Sequence, residues 1–152
     1  MNMYDYFHLT VASICEKDGK FLVVEEVSKK TGKTVFNQPA GHVELNEPII
    51  DAVVRETLEE TSWSIKPTSI VGIYQNIVDV QGQSRHYCRV CFTCDVIEKT
   101  TLDIDPDITA AHWLTADEIF NLPNPRSSMV KKCLEDYLAG KRFSLDILTT
   151  LR

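Results

Sequence analysis

The sequence predicts an α+β fold in one domain spanning residues 1–152, on three observations. Two pairs of β-prone segments each close on a tight-turn signal, one acidic helix lies between the pairs, and two helices follow the last β-prone stretch. A chain of 152 residues with 43% hydrophobic content has enough apolar material for one substantial core. No internal repeat, low-complexity tract or linker divides it.

The first β-prone pair is Phe7–Cys15 and Lys20–Val27, joined by EKDGK, in which Asp18-Gly19 is a strong hairpin signal. The polar loop KKTGK follows at 29–33, and Thr34–Gln38 is a short extended piece, because Pro39 biases Gln38 away from helix. Gly41 offers a turn before the acidic helix. Asn46 is the expected N-cap and Pro48 suits the first helical turn, where its missing N–H costs nothing. Ile50, Val54 and Leu58 recur at i, i+4 and i+8, with Val53 and Thr61 widening the stripe, so one face is expected to meet the core.

Ser64–Val80 and Ser84–Ile97 form a second hairpin about VQGQ, which contains Gly82, and Ala110–Leu114 is a further short strand. Thr115 with Glu118 makes a capping box for a short helix that stops before Pro123. Ser127 or Ser128 opens the last helix, whose apolar face is Val130, Cys133, Leu134, Tyr137 and Leu138, and Gly140 suits its C-terminal stop.

A net charge of −6 and a pI near 5.2 exclude a general binder of nucleic acid or anionic membrane, because no basic cluster tracks a phosphate backbone. A phosphate-bearing ligand would need a cation as intermediary. No stretch approaches the roughly 18 apolar residues of a membrane span, and MNMYDYFHLT has no signal-peptide character, so the expected location is the cytoplasm. Five cysteines leave one unpaired under any full disulfide scheme, which suits a reducing compartment. Cys88, Cys91 and Cys94 have a metal-like spacing, but on a strand a step of three sends successive side chains to opposite faces, so they are expected to be structural.

The acidic helix carries the chemistry. Glu56 and Glu60 are helical neighbours, and Glu59 lies beside both, so three carboxylates reach one edge in the half of the helix where the dipole disfavours negative charge. Arg55 is the only Lys or Arg between Lys33 and Lys66. A solvated charged face is the bland explanation. A hard divalent cation explains the clustering better, since Mg2+ takes oxygen ligands and keeps positions for water and substrate phosphate, with Mn2+ the alternative ion.

These residues spell Gly41-x5-Glu47-x7-Arg55-Glu56-Thr57-x-Glu59-Glu60-x-Ser62-Trp63, which resembles the Nudix box G-x5-E-x7-R-E-U-x-E-E-x-G-U, the signature of the Nudix hydrolases. Gly41, Glu47, Arg55, Glu56, Glu59 and Glu60 all match. Thr57 stands where an aliphatic residue is usual, with Leu58 expected to serve the core face instead. Ser62 replaces the second glycine, which would be strained in a left-handed turn unless the helix runs on to Trp63.

The resemblance implies the Nudix fold, an α/β/α sandwich with a central mixed β-sheet. It implies that Glu59 and Glu60 hold the metal with help from Glu56 and a carbonyl near Gly41, that Arg55 orients a catalytic glutamate, and that Glu47 supports the cluster. Glu56 is the first candidate for general base, with an acid outside the box the second; Arg55 and Glu60 complete the catalytic set. FLVVEE at 21–26, FNQPAGHVE at 36–44, Asp107-Ile108, HWLTADEI at 112–119, Arg126-Ser127 and YLAGKRFSL at 137–145 are similar to the NudJ-type phosphatases of that family. That branch releases orthophosphate from nucleoside tri- and diphosphates, from thiamine pyrophosphate and from its pyrimidine precursor pyrophosphate.

Candidates for the substrate pocket, by position and type, are Phe36, Gln38, His8, Gln75 and Tyr87 for the ring, and Arg89 and Arg126 for phosphate. Each has a structural alternative: a core aromatic, a satisfied polar group, or a surface ion pair. Asp103–Asp107 imitates the start of an EF-hand, but Ile108 and Leu114 stand where glycine and a bidentate glutamate are required, which excludes calcium storage. Those acids remain candidates for an outlying ligand or base.

The expected partner is therefore a small nucleotide or pyrophosphate substrate, with no nucleic acid and no membrane, and the chain a monomer or homodimer. Two other functions compete: a pyrophosphohydrolase of the nucleotide-cleaning (MutT-like) or ADP-ribose type, and a catalytically silent nucleotide-binding module.

Overall fold

The computed structural model describes residues 7–151. The N-terminal MNMYDY of the leader reading lies outside them. The elements run β1 (Phe7–Lys17), β2 (Lys20–Val27), β3 (Thr34–Asn37), β4 (Ala40–His42), α1 (Ile49–Thr61), β5 (Trp63–Val80), β6 (Gln83–Lys99), β7 (Ile108–Thr115), α2 (Ala116–Phe120) and α3 (Ser128–Leu138), with a 3-10 turn at Leu145–Ile147. Among the described residues no helix is long and apolar enough to cross a membrane.

Both predicted tight turns form. Asp18-Gly19 and Gln81-Gly82 all have positive φ, between 53° and 79°, the left-handed pair that matches the twist of antiparallel strands. The turn at Gln81-Gly82 closes a long hairpin of β5 with β6, from Val80 opposite Gln83 to Trp63 opposite Lys99. The turn at Asp18-Gly19 closes a pair that separates at once: β1 faces β2 only at Glu16 with Phe21 and Lys17 with Lys20. Beyond that, β1 pairs in parallel with β6 and antiparallel with β4, while β2 joins β3 and β7. The result is a mixed sheet splayed into two halves hinged at one turn, an arrangement that local turn chemistry cannot foretell.

Alternation along β1 and β6 divides the core between two faces. Val11, Cys15, Val90, Phe92 and Cys94 pack with Ala52 and Val53 of α1. Ala12, Ile14 and Cys91 pack with Val130, Cys133 and Leu134 of α3 and Ile119 of α2. Helices thus cover both faces of the sheet, the α/β/α sandwich that the box implied. Cys91 and Cys94 fall on opposite faces, and all five cysteines are free.

Four local expectations are corrected. Asn46 does not cap α1: it has φ 64°, and Pro48 is the N-cap residue, without a side-chain capping bond. Gly41 lies within β4 and not in a turn. Helix α1 does not run on to Trp63 but ends at Thr61, and Ser62 adopts the left-handed conformation at φ 64°. Its cost there is offset because the Ser62 hydroxyl donates to the Leu102 carbonyl and the Ser62 carbonyl accepts from Thr100 N at 2.7 Å and Thr100 Oγ1 at 3.0 Å. In α3, Leu138 is 51% exposed, while Asp136 is buried and receives the Tyr74 hydroxyl at 2.8 Å. The predicted caps of α2 and α3, the Thr115–Glu118 box and Ser127, both form.

The buried stripe of α1 also differs. Val53, Thr57 and Thr61 are buried, whereas Ile50, Val54 and Leu58 are only half-buried. Thr57 is fully enclosed and does not delegate its core position to Leu58. Its hydroxyl donates to the Val53 carbonyl at 2.8 Å and meets the Ser13 hydroxyl of β1 at 2.8 Å, so the two polar groups satisfy each other inside an apolar interface. T57V alone leaves Ser13 without its partner and is expected to cost about 1–3 kcal/mol in urea unfolding, while S13A/T57V recovers most of that loss. Additive losses in the double variant would contradict the pairing.

Candidate active site

Strand β4 meets helix α1 through glutamate carboxylates. A Cβ on Gly41 would lie 2.2 Å from Cδ of Glu56 and 2.3 Å from its Oε1, far inside van der Waals contact, so only glycine lets the carboxylate lie against this backbone. One residue earlier, Ala40 N donates to Glu60 Oε1 at 2.9 Å. The two acids of α1 are thereby held along one short strand, which β1 fixes from its other edge through Val11 opposite Gly41 and Ala12 opposite Ala40.

Arg55 lies amid the remaining acids. Its Nε and Nη2 reach Glu47 at 2.6 and 2.9 Å, its Nη1 reaches Glu56 at 2.9 Å and Glu59 at 3.1 Å, and its Nη2 also donates to the His42 carbonyl at 3.0 Å. Much of the repulsion that the sequence assigns to this helix is therefore relieved by one guanidinium, which shows a structural component beside any chemical one. Hydrogen bonding from Arg55 holds Glu47 below its usual range. Glu47 in turn raises the guanidinium's own proton affinity. Glu56 is raised, because burial outweighs the opposing pull of Arg55.

Glu60 is the outlier. It is 9% exposed, its carboxylate's one hydrogen bond among the described residues comes from Ala40, and burial pushes its carboxyl up to about 9 against that bond, with Glu56, Glu26 and Asp105 adding repulsion. A buried carboxylate with no basic partner is costly unless a cation joins it. An all-oxygen acidic set of this kind fits a hard divalent cation. Among the described residues no three acidic, histidine or cysteine side chains converge on one point, so Glu56 and Glu59 would have to turn from Arg55 to share an ion with Glu60. Asp105, from the stretch that imitates an EF-hand, donates its backbone N–H to the Glu59 carbonyl at 2.8 Å, which brings that acid to the C-terminal end of α1.

The other side of β4 opens into a cleft of about 260 Å³ lined by Gly41, His42, Asn37, Asn76, Tyr87 and Arg89, with Lys30, Glu26, Arg126 and Met129 also on its walls. Strand register explains the floor: Thr10 and Tyr74 flank Arg89, and His8 and Asn76 flank Tyr87, all on one face. Arg126 is delivered from a loop, since Phe36 N donates to the Asn124 carbonyl at 3.0 Å and Arg126 N donates to the Phe36 carbonyl at 2.8 Å; its guanidinium pairs with Glu26.

The pocket candidates separate accordingly. Tyr87, Arg89 and Arg126 line the cleft. His8 stacks on Tyr87 with centroids 4.6 Å apart and meets His42 at 2.9 Å, so it borders the cleft through Tyr87. Burial lowers both imidazoles, with mutual and cationic repulsion adding to it at His8 and Arg126 at His42. Gln38 is buried, with Nε2 donating to the Val130 carbonyl and Oε1 accepting from Arg89. Phe36 packs into the α3-side core, and Gln75 points to the opposite face, where it meets His86 at 3.0 Å. Lys30, Asn37 and Asn76 are cleft residues that sequence reasoning missed. Asn76 and Asn37 each had a signal, as neighbours in sequence of the named candidates, Gln75 for the first and Phe36 and Gln38 for the second.

Two outcomes follow. G41A is expected to displace the Glu56 carboxylate and lower kcat/KM by about 100-fold while circular dichroism stays native; wild-type activity would mean that the close approach is not required. For Glu60, a folded pKa raised from 4.5 to about 9 means that its ionisation costs stability progressively as pH rises above 4.5. In EDTA the Tm of the wild-type protein is expected to fall from pH 5 to pH 8, and that of E60Q to fall less, leaving E60Q more stable at pH 8. Parallel curves would contradict this.

The NUDIX domain family matches residues 7–135. Over 142 residues the chain is 35% identical to the phosphatase NudJ of Escherichia coli strain K12, covering 93% of this chain and 90% of that protein. A solved Nudix hydrolase from Nitrosomonas europaea is 40% identical and superposes at a TM-score of 0.86, covering 95% of this chain and 97% of that one. A MutT protein from Bacillus halodurans, 21% identical, shares the fold at a TM-score of 0.72 over 90% of this chain and 85% of its own. The chain belongs to the Nudix family and is a hydrolase acting on phosphoric anhydrides.

Proposed function

We propose that this protein is a divalent-cation-dependent phosphatase that releases orthophosphate from nucleoside tri- and diphosphates and from small organic pyrophosphates, thiamine pyrophosphate and hydroxymethylpyrimidine pyrophosphate among them. The observation that carries the reading is the division of charge across β4: buried Glu60 and half-buried Glu56 on one side, and Lys30, Arg89 and Arg126, the last paired with Glu26, around a cleft on the other. The similarity to a phosphatase over nearly the whole chain supports release of orthophosphate.

In this reading Glu56, Glu59 and Glu60, with the Gly41 carbonyl, hold Mg2+ or Mn2+. When bound, the ion supplies charge neutralisation at the phosphate oxygens and lowers the pKa of its water. Glu56 takes the proton of the attacking water. Its Oε1 accepts from Arg55 and its Oε2 makes no hydrogen bond among the described residues, so once the side chain turns from Arg55 one oxygen can meet the ion while the other faces the water. Burial raises its proton affinity, which makes it a stronger base than an exposed carboxylate. Arg55 positions Glu56 and is itself anchored by Glu47. Arg126 and Lys30 border the cleft where a phosphate chain would extend.

Incubation with Mg2+ and GTP, GDP, thiamine pyrophosphate, hydroxymethylpyrimidine pyrophosphate or ADP-ribose, with products separated by ion exchange, is expected to yield orthophosphate stepwise from the nucleotides and the small pyrophosphates. Pyrophosphate from GTP, or AMP from ADP-ribose alone, would replace this reading with a pyrophosphohydrolase. E56Q is expected to lower kcat by about 100-fold or more with KM little changed.

A further inference from the structure

The cleft face of the sheet stays positive beyond Arg89. Arg85, Tyr87 and Arg89 alternate onto one face of β6, and the last two line the cleft. Arg85 lies opposite Val78, a further cleft residue, and its buried Nε has no hydrogen-bond partner. From the loop after β2, Lys30 Nζ stands 5.6 Å from the centroid of the Tyr87 ring and 3.4 Å from its hydroxyl. Both cations also act on His8, the neighbour of Tyr87 on β1, whose imidazole is held below its ordinary value first by burial and then by His42, Arg85 and Lys30.

Neither cation has an acid. Among the described residues Lys30 and Arg85 make no ion pair, while the adjacent Lys29 takes Asp107 and Glu26 is engaged by Arg126. Asp79, on the same hairpin, accepts from the Ser84 hydroxyl at 2.9 Å and alternates onto the face opposite to Val78 and Arg85. An acidic chain with 22 carboxylates thus leaves one end of its cleft uncompensated. That end is remote from the box acids. His42 directly follows Gly41 and lies in one row with Thr10 and Arg89, whereas Arg85 stands four residues farther along β6, about 13 Å at the rise of a strand.

Two unpaired cations, one a planar fork and the other a point charge on a flexible stem, suit the dianion of a phosphate monoester better than a single carboxylate. We infer that Lys30 and Arg85 form a second phosphate subsite at the hairpin end of the cleft, which favours substrates whose organic part carries a further phosphate monoester. This rests on the reading of the cleft as the substrate site. The phosphate chain to be cut lies toward Gly41 and Arg126, the organic part crosses the row of Tyr87, and the remote phosphate meets Lys30 and Arg85. Substrates with one phosphate chain, the thiamine and pyrimidine pyrophosphates among them, use the Gly41 end alone.

The test is calorimetric binding of adenosine 3′,5′-bisphosphate, ADP and AMP in EDTA, so that affinity is read without turnover. ADP has as many phosphates as the bisphosphate, but both at one end. Wild-type protein is expected to bind the bisphosphate about tenfold or more tighter than AMP, the worth of one charge-assisted hydrogen bond. R85Q, with native circular dichroism, is expected to lose about tenfold for the bisphosphate and less than about threefold for ADP, and R85K, which keeps the charge without the fork, to lose less than R85Q. Equal wild-type affinity for the bisphosphate and AMP, no binding of any of the three, or equal losses for the bisphosphate and ADP in R85Q would overturn the inference, the last by leaving Arg85 only a share in the general field. If the preference holds but no anhydride is hydrolysed with Mg2+, the proposed function falls and the subsite stands.

Discussion

The contact on which the rest of the structure depends is the one between α1 and the three residues of β4. No Cβ separates the Gly41 backbone from Glu56, and the adjacent Ala40 N–H holds Glu60. Both contacts are made by the ends of glutamate side chains, so they set which carboxylates are withdrawn from water and which remain with Arg55. Thr57 continues the same interface inward, where its hydroxyl meets Ser13 of β1. Helix α1 is thus seated by apolar packing of Ala52 and Val53 together with this pair of mutually satisfied hydroxyls.

The interface is electrostatically unfavourable by itself. Arg55 offsets the acids at the solvent side, but Glu60 lies behind it, against β4 and near Glu56, Glu26 and Asp105. A fold selected for stability alone would place an amide or apolar group there. Retaining the carboxylate makes sense if a cation completes the site, and the cationic cleft on the far side of β4 makes sense if the ligand is an anion. In the proposed function the two regions act together, with β4 between them.

Most of what lies close together in sequence was legible. The turns at Asp18-Gly19 and Gln81-Gly82 and the caps at Thr115 and Ser127 follow from local chemistry, whereas the box acids were read by resemblance. What was not legible depends on distant partners. Ser62 takes the left-handed turn because Thr100 and Leu102, some forty residues away, satisfy its polar atoms. Separation of β1 from β2 depends on β6, which is not yet in view when the first hairpin is read. In the cleft, Asn37 and Lys30 gain meaning only after β3 and its preceding loop fold beside β1 and β6. Gln38 looked like a ligand contact by type, yet Val130 and Arg89 already occupy its amide.

The central claim is that the acids buried against β4 are a seat for a divalent cation. It is tested most directly by titrating Mn2+ into wild-type protein and E60Q, without substrate, and counting free ion by electron paramagnetic resonance. Saturable binding by the wild type, weakened at least about tenfold in E60Q while circular dichroism stays native, is the expected result. Equal binding by the two proteins would mean that Glu60 is buried for some other reason and that the cation, if one acts, sits elsewhere.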